Sequence, residues 1–461
     1  MGFRHNGGYD TGGPINRLNS FMKTSVRIGC GAGFSGDRLE PALMLVQQGE
    51  LDYLVLECLA ERTIALAQKR KRQDATLGYD PLLERRIESL LPRLLEKKVR
   101  LITNMGAANP LAAAQKIIDI AQRLSLSVRV AAVTGDDVFS LLSGSEMALE
   151  TGKPLSDSGT LVSANAYMGT DAILPALTTD ADIIITGRVA DPSLFVAPLA
   201  HEFGWSLDDF DLLGQGTVIG HLLECAGQLT GGYFADPGRK DVPHMAHLGH
   251  PFADVSPDGR AVFSKVAGTG GMLSLATAKE QLLYEVMDPS RYVTPDVVAD
   301  FTQVRLELMG PDQVMATGGR GQTRPGTLKA SVGYETGFIG EGEISYAGSN
   351  ALGRAKLAGS IIKERLKDRF TDLRIDYIGS TSVHRTNFGH YPDPYEIRLR
   401  VAGKAASAQQ AALVGEEVEA LYTNGPAAGG GARKYVHEVV GIVSTLINRH
   451  QLTPHVTVFQ S

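Results

Sequence analysis

The feature that most constrains this chain is a repeated alternation in its first half. Short β-rich apolar runs at 26–30, 53–56, 99–103, 128–133, 160–164 and 183–186 are separated by polar or glycine-rich loops and helical stretches. Those stretches include PALMLVQQGE, DPLLERRIESLLPRLLEKK and PLAAAQKIIDIAQRL. In the second, Leu82, Leu83, Ile87, Leu90, Leu91, Leu94 and Leu95 fall on one helical stripe. Asp80-Pro81 ahead of it supplies a capping residue and a first-turn proline. Strand, loop and helix in alternation define an α/β class with a mostly parallel sheet. An open doubly wound sheet is expected, with barrel-like closure as the alternative. Right-handed crossovers place every strand-to-helix loop at one end of that sheet.

A chain of 461 residues exceeds what a single core usually holds. After about residue 237 the texture changes to turn dipeptides and short alternating runs, with helices expected at 352–370 and 408–422. The expected division is a flexible leader (1–23), a parallel β/α domain with the ligand cleft (24–237) and an α+β domain (238–461). A net charge of -6, spread rather than blocked, leaves no basic stripe for nucleic acid. No run approaches the roughly 18 apolar residues of a membrane helix, and the polar N-terminus is not a signal peptide. Three cysteines (Cys30, Cys58 and Cys225) form neither a disulfide framework nor a metal spacing, which points to a reducing, cytoplasmic setting.

Ligands of parallel sheets bind outside the carboxyl ends of the strands. Six successive strand ends here carry polar groups, among them Glu57, Glu61, Asn104, Asn109, Asp136, Asn165, Arg188 and Asp191. Many such residues serve as helix caps, and Asn109-Pro110 has the form of one. Glu57 and Arg188 stand apart, because each directly follows an apolar strand and so needs a partner or a ligand. A shielded carboxylate suits general acid–base work, and a guanidinium fork suits a carboxylate or phosphate. Asp191, Glu224 and His221 are further catalytic candidates, the last two sharing a helix face.

Gly31-x-Gly33-x-x-Gly36 has the dinucleotide-binding spacing. Asp37, however, would repel a pyrophosphate, and Pro41 belongs in a first helical turn, so the helix is expected near 38–40 with Asp37 as its N-cap. The loop then reads as a close backbone approach to another ligand, and NAD is not expected. Thr230 and Gly231 of a second glycine-rich zone, with Asn424 and Gly430 of TNGPAAGGGARK, are added as binding candidates; the latter loop has the composition of an anion nest. His244, His247 and His250 recur at three-residue intervals, but the surrounding Gly249 and Pro251 argue against a helix that would align them, and no metal site is assigned.

Taken together, IGCGAGFSGDR, LDYLVLECLAERT, NMGAANP, TGRVADPSL, HLLECAGQLTGGYFADP and TNGPAAGGG closely resemble the acyclic terpene utilisation AtuA family. The resemblance runs from about Val26 to Arg433. It implies a place in the catabolism of branched isoprenoid acids as coenzyme A thioesters. It also implies a small ferredoxin-like module, which a separate partner subunit would supply here. The expected activity is that of a lyase or hydratase on a carboxylic acid or acyl-coenzyme A, in a homo-oligomer. In that scheme Glu57 is the acid/base, Arg188 and Asn109 hold the acid group, and the amides of Gly31, Gly33 and Gly36 face a developing enolate. Asn165, Thr230, Gly231, Asn424 and Gly430 complete the binding set. The alternatives are an NAD(P)- or flavin-dependent oxidoreductase and a non-catalytic subunit of a two-component enzyme.

Overall fold

The computed structural model describes residues 23–385 and 394–461; apart from Lys23, the expected leader lies outside them. The first six strands are β1 (Val26–Ala32), β2 (Tyr53–Leu56), β3 (Arg100–Thr103), β4 (Arg129–Thr134), β5 (Leu161–Ala166) and β6 (Ile183–Thr186). Between and after them come α1 (Glu40–Gln48), α2 (Glu61–Gln73), α3 (Leu83–Lys97), α4 (Pro110–Arg123), α5 (Thr170–Leu177), α6 (Ser193–Phe203) and α7 (Phe210–Glu224). Strands β7 (Pro251–Val255) and β8 (Ala261–Lys265) precede α8 (Leu275–Leu282). The short strands that follow are β9 (Tyr292–Val293), β10 (Val298–Asp300), β11 (Arg305–Gly310), β12 (Gln313–Thr317) and β13 (Arg320–Gln322). The remainder comprises β14 (Thr327–Ala347), α9 (Ala351–Leu366), β15 (Leu373–Ile378), β16 (Glu396–Ala405), α10 (Ala408–Asn424), β17 (Gly430–Asn448) and β18 (His455–Gln460).

The mixed α/β architecture centres on a ten-stranded sheet ordered β11-β12-β8-β7-β1-β2-β3-β6-β4-β18. Strands β1, β2, β3, β6 and β4 pair in parallel. On one side β7 is antiparallel to β1, and on the other β18 is antiparallel to β4. Residues from both sides of position 237 therefore build this sheet. Strand β2 shows the local cause of the layering. Tyr53 and Val55 join one core with Ile28, Cys30 and Ile184, whereas Leu54 and Leu56 join the other with Leu45, Leu101 and Ile185. Alternating side chains are apolar on both faces because both faces are covered.

One expected strand is redirected. The run at 160–164 does not enter the parallel sheet; β5 pairs antiparallel with β14, from Ala166↔Ala330 to Leu161↔Tyr334. It carries Ser163 and Asn165 in its interior, whereas the polar residues of β3, β4 and β6 lie at the strand ends, so it is poorly suited to a doubly covered position. Strand β14 also belongs to a second sheet, β15-β16-β14-β17, whose core with α9 and α10 includes Ile344, Tyr346, Leu399, Ala355 and Val414. Among the described residues no helix is long and apolar enough to cross a membrane.

Candidate active site

The carboxyl ends of β1, β2 and β6 converge with the C-terminus of α7 on a cleft of about 720 Å³, a size ordinary for a small-molecule site. The loop after β1 contributes Gly33, Phe34 and Asp37, and the turn after β2 contributes Glu57 to Glu61. Arg188 and Asp191 come from the loop after β6, Glu224 and Cys225 from the end of α7, and His250 and Glu285 from farther along the chain.

Glu57 follows β2 without a break and is 8% exposed. Its Oε1 accepts from the Leu59 amide and from Asn104 Nδ2, both at 2.9 Å. Burial, helped by the nearby Asp191 charge, pushes its carboxyl well above the usual range, against the opposing pull of Arg188, Asn104 and the Leu59 amide. Arg188 is 1% exposed. Its Nη1 donates to Leu59 O and its Nη2 to Asp191 Oδ1 at 2.5 Å, and the guanidinium lies 4.0 Å from the Tyr167 ring centroid. Burial opposes its charge, but Asp191, Tyr167, Glu57 and Glu61 outweigh that and hold its pKa above the ordinary value. Burial likewise raises Asp191, although Arg188 pulls it down.

Glu224 faces the same cleft. Its Oε1 is 3.2 Å from His221 Nδ1, while Oε2 is buried without a hydrogen-bond partner. Burial, then the charges of Asp191 and Glu285, push its carboxyl well above the usual range. His221 stands behind it, 1% exposed and packed against the Tyr292 and Phe301 rings, and burial lowers its pKa to about 4. It is therefore neutral at physiological pH. Glu61 contrasts with its neighbours: burial opposes its charge, but hydrogen bonds led by the Tyr167 hydroxyl (2.5 Å) bring it down to about 2. Besides Asp37 and Glu285, the cleft thus holds two carboxyls biased toward the protonated form, one firmly ionised carboxylate and one Arg–Asp pair.

The expected residues divide. Glu57, Arg188, Asp191, Glu224 and Gly33 line the cleft, with His221 directly behind. Gly31 lies inside β1, where a Cβ would come within 2.8 Å of Leu56 and 2.9 Å of Ala42. A Cβ on Gly36 would meet the Phe34 ring at 2.7 Å. Asn109 caps α4 and donates to Ala75 O and Leu77 O, so its amide is engaged away from the cleft. Asn165 bonds Asp136 at 2.8 Å, and Thr230 bonds Gly249 O at 2.6 Å. Gly231 turns at φ +105° beside Val242. Asn424 ends α10 and Gly430 opens β17, both beside the second sheet rather than among the cleft-lining residues. Nor does Arg188 present a free two-pronged face, because both terminal nitrogens already have protein partners.

The glycine loop holds a further correction. α1 begins at Glu40 with Leu39 as its N-cap, and no side chain caps it. Asp37 instead closes its own loop: Oδ2 accepts from Gly33 N (3.0 Å) and Oδ1 from Arg38 N (2.8 Å). A carboxylate thus occupies the loop amide that a pyrophosphate would use. Tyr167, His250 and Glu285 are cleft residues to which the sequence pattern assigns no site role. His250 Nδ1 donates to Gly31 O at 3.2 Å, which leaves Nε2 3.8 Å from Asp37 Oδ1. Among the described residues no group of three or more His, Cys, Asp or Glu side chains is arranged to hold a metal ion.

The fold and cleft define a mixed α/β protein with an acid-rich pocket at the carboxyl ends of its parallel strands. The model of one family, described as acyclic terpene utilisation family protein AtuA, matches residues 26–458, and the chain belongs to that family. No curated protein and no solved structure matches it.

Proposed function

We propose that the chain is a lyase of hydratase type that acts on a carboxylic acid or its acyl-coenzyme A thioester. The observation that carries this reading is the pair Glu57 and Glu224, two carboxyls of raised pKa facing one cleft beside the Arg188–Asp191 pair. Removing water next to a carbonyl requires a proton to leave carbon and another to reach the departing oxygen, and adding water runs both transfers in reverse. Glu57, in the ionised form that Arg188, Asn104 and the Leu59 amide favour against burial, takes the proton from carbon. Glu224, protonated and positioned by His221, delivers one to the oxygen. Arg188 supplies fixed positive charge beside Glu57, where negative charge builds on the carbonyl oxygen. With Gly33 N bound to Asp37, this guanidinium replaces the loop amides in that role.

A thermal-shift screen with free acids, acyl-coenzyme A thioesters, nucleotides and divalent metals identifies the ligand class, because a ligand stabilises the state it binds. Stabilisation by acids or thioesters is expected. Stabilisation by nicotinamide or flavin nucleotides alone would favour an oxidoreductase. Glu57→Gln is expected to keep the ligand shift and lower turnover by about 10²- to 10⁴-fold.

A further inference from the structure

Strand β17 is the last strand of the second sheet, paired on one side with β14 from Thr327↔Asn448 to Ser345↔Gly430. Its outer edge is covered at two points. The Leu149 amide donates to Ser444 O and the Glu150 carboxylate accepts from Ser444 N, each at 2.8 Å. Farther along, the Tyr422 hydroxyl accepts from Ala432 N at 2.9 Å. These bonds fix the alternation: backbone groups of even-numbered residues point outward. Between the two points Lys434, Val436 and Glu438 present N–H and C=O away from β14. Residues 433–438 are all exposed, and Tyr435 and Val436 are 42% and 41% exposed. Among the described residues no hydrogen bond outside the β14 pairing involves the backbone N–H groups of 434–438. An open strand edge of this kind is a template for another strand.

We propose that this edge pairs with the same edge of a second copy of the chain, antiparallel about a two-fold axis at Val436. The local sequence selects that occupant and that register. Centring at Val436 sets Lys434 opposite the partner's Glu438, and Tyr435 opposite the partner's His437. Lys434 is held by Glu419 at 2.6 Å, and Glu438 pairs with Lys69. Pairing therefore forms a row of alternating charge, Lys69, Glu438, the partner's Lys434 and the partner's Glu419, repeated by symmetry. On the other face Tyr435 and His437 stack at 5.9 Å, and the partner's pair would extend that row of rings. Centring at residue 434 or 438 would instead set Lys434 or Glu438 against its own copy, which like charges oppose. A self-complementary patch is what a two-fold interface requires.

Sedimentation velocity on the full chain tests this. The expected result is a species of twice the 49.3 kDa chain mass. Val436→Pro removes an outward N–H while leaving the β14 pairing intact, and is expected to give monomers with unchanged circular dichroism. Lys434→Glu is expected to weaken dimerisation at least about 10-fold, as opposed like charges would. The charge swap K434E/E438K restores it, although that swap breaks the bonds to Glu419 and Lys69 within each chain. Val436→Cys is expected to cross-link two copies on oxidation, because directly paired Cα atoms lie about 5.5 Å apart. A monomer at all concentrations overturns the proposal, as does a dimer that survives Val436→Pro and leaves Val436→Cys uncross-linked. Association only with a different small protein overturns it too.

Discussion

Glu224 and Glu57 are ionisable groups that the fold holds where ionisation is unfavourable. Each has a folded pKa above its unfolded value, so its contribution to stability is complete below about pH 4.3, where the unfolded chain titrates, and is lost as pH rises through the folded value. Glu224→Gln removes that loss and is expected to raise the thermal midpoint at pH 8 by about 1–3 °C, with little difference from wild type at pH 4. Scanning calorimetry at both pH values checks this. Equal midpoints at pH 8 would show that the unpartnered Oε2 carries no penalty. Arg188→Met would leave the half-buried Asp191 without its cation and is expected to destabilise the chain in denaturant unfolding, by less than the roughly 3–5 kcal/mol of a fully buried pair. Glu57 and Arg188 were legible in the sequence because each follows an apolar strand directly. Asn109 misled because Asn-Pro serves a cap as readily as a ligand. His250 could not be seen, since it reaches Gly31 only through the pairing of β7 with β1, some 200 residues apart.

At the scale of elements, the β1–α1 loop shows how one spacing can arise from several causes. Gly31 is needed for packing against Leu56 and Ala42, and Gly33 because the backbone of Cys225 passes close to it. A Cβ at residue 33 would lie 2.6 Å from the Cys225 carbonyl carbon. Gly33→Ala is therefore expected to push the end of α7 away from β1. The cost is about 1–3 kcal/mol, and Glu224 would lose its place in the cleft. Urea unfolding and ligand-induced thermal shift measure the two effects, and an unchanged ligand shift would separate the loop from the site. The alternation of strands and helices made the parallel sheet readable. The departure of β5 was less so, because its polar Asn165 has the place of a strand-end ligand rather than the mark of a different sheet.

Across the whole molecule, the sheet gathers strands from both ends of the chain, and the cleft gathers side chains from residues 33 to 285. Helix α2 spans from Glu61 in the cleft to Lys69 beside β17, so the proposed dimer edge and the site share one rigid element. Titration of the whole protein should reflect its buried acids. Glu57, Asp191, Glu224 and Asp296 are raised chiefly by burial, and Asp136, buried too, is raised to about 6. His221 works in the opposite sense: buried neutral, its contribution is lost as pH falls from about 6.5 toward about 4. Above the range in which His221 titrates, stability is therefore expected to decline as rising pH ionises the raised carboxyls, less steeply in Glu57→Gln and Glu224→Gln. A profile that climbs there would contradict the buried-acid account.

The central claim is that Glu57 moves a proton at carbon next to a carbonyl. Incubation with branched-chain acyl-coenzyme A thioesters in heavy water, read by mass spectrometry of the recovered thioester, tests it without knowledge of the product. The expected result is incorporation of one deuterium at that carbon with the wild-type protein, and none with Glu57→Gln although the ligand still binds. Equal labelling by both proteins, or no labelling by wild type of any thioester that it binds, would contradict it.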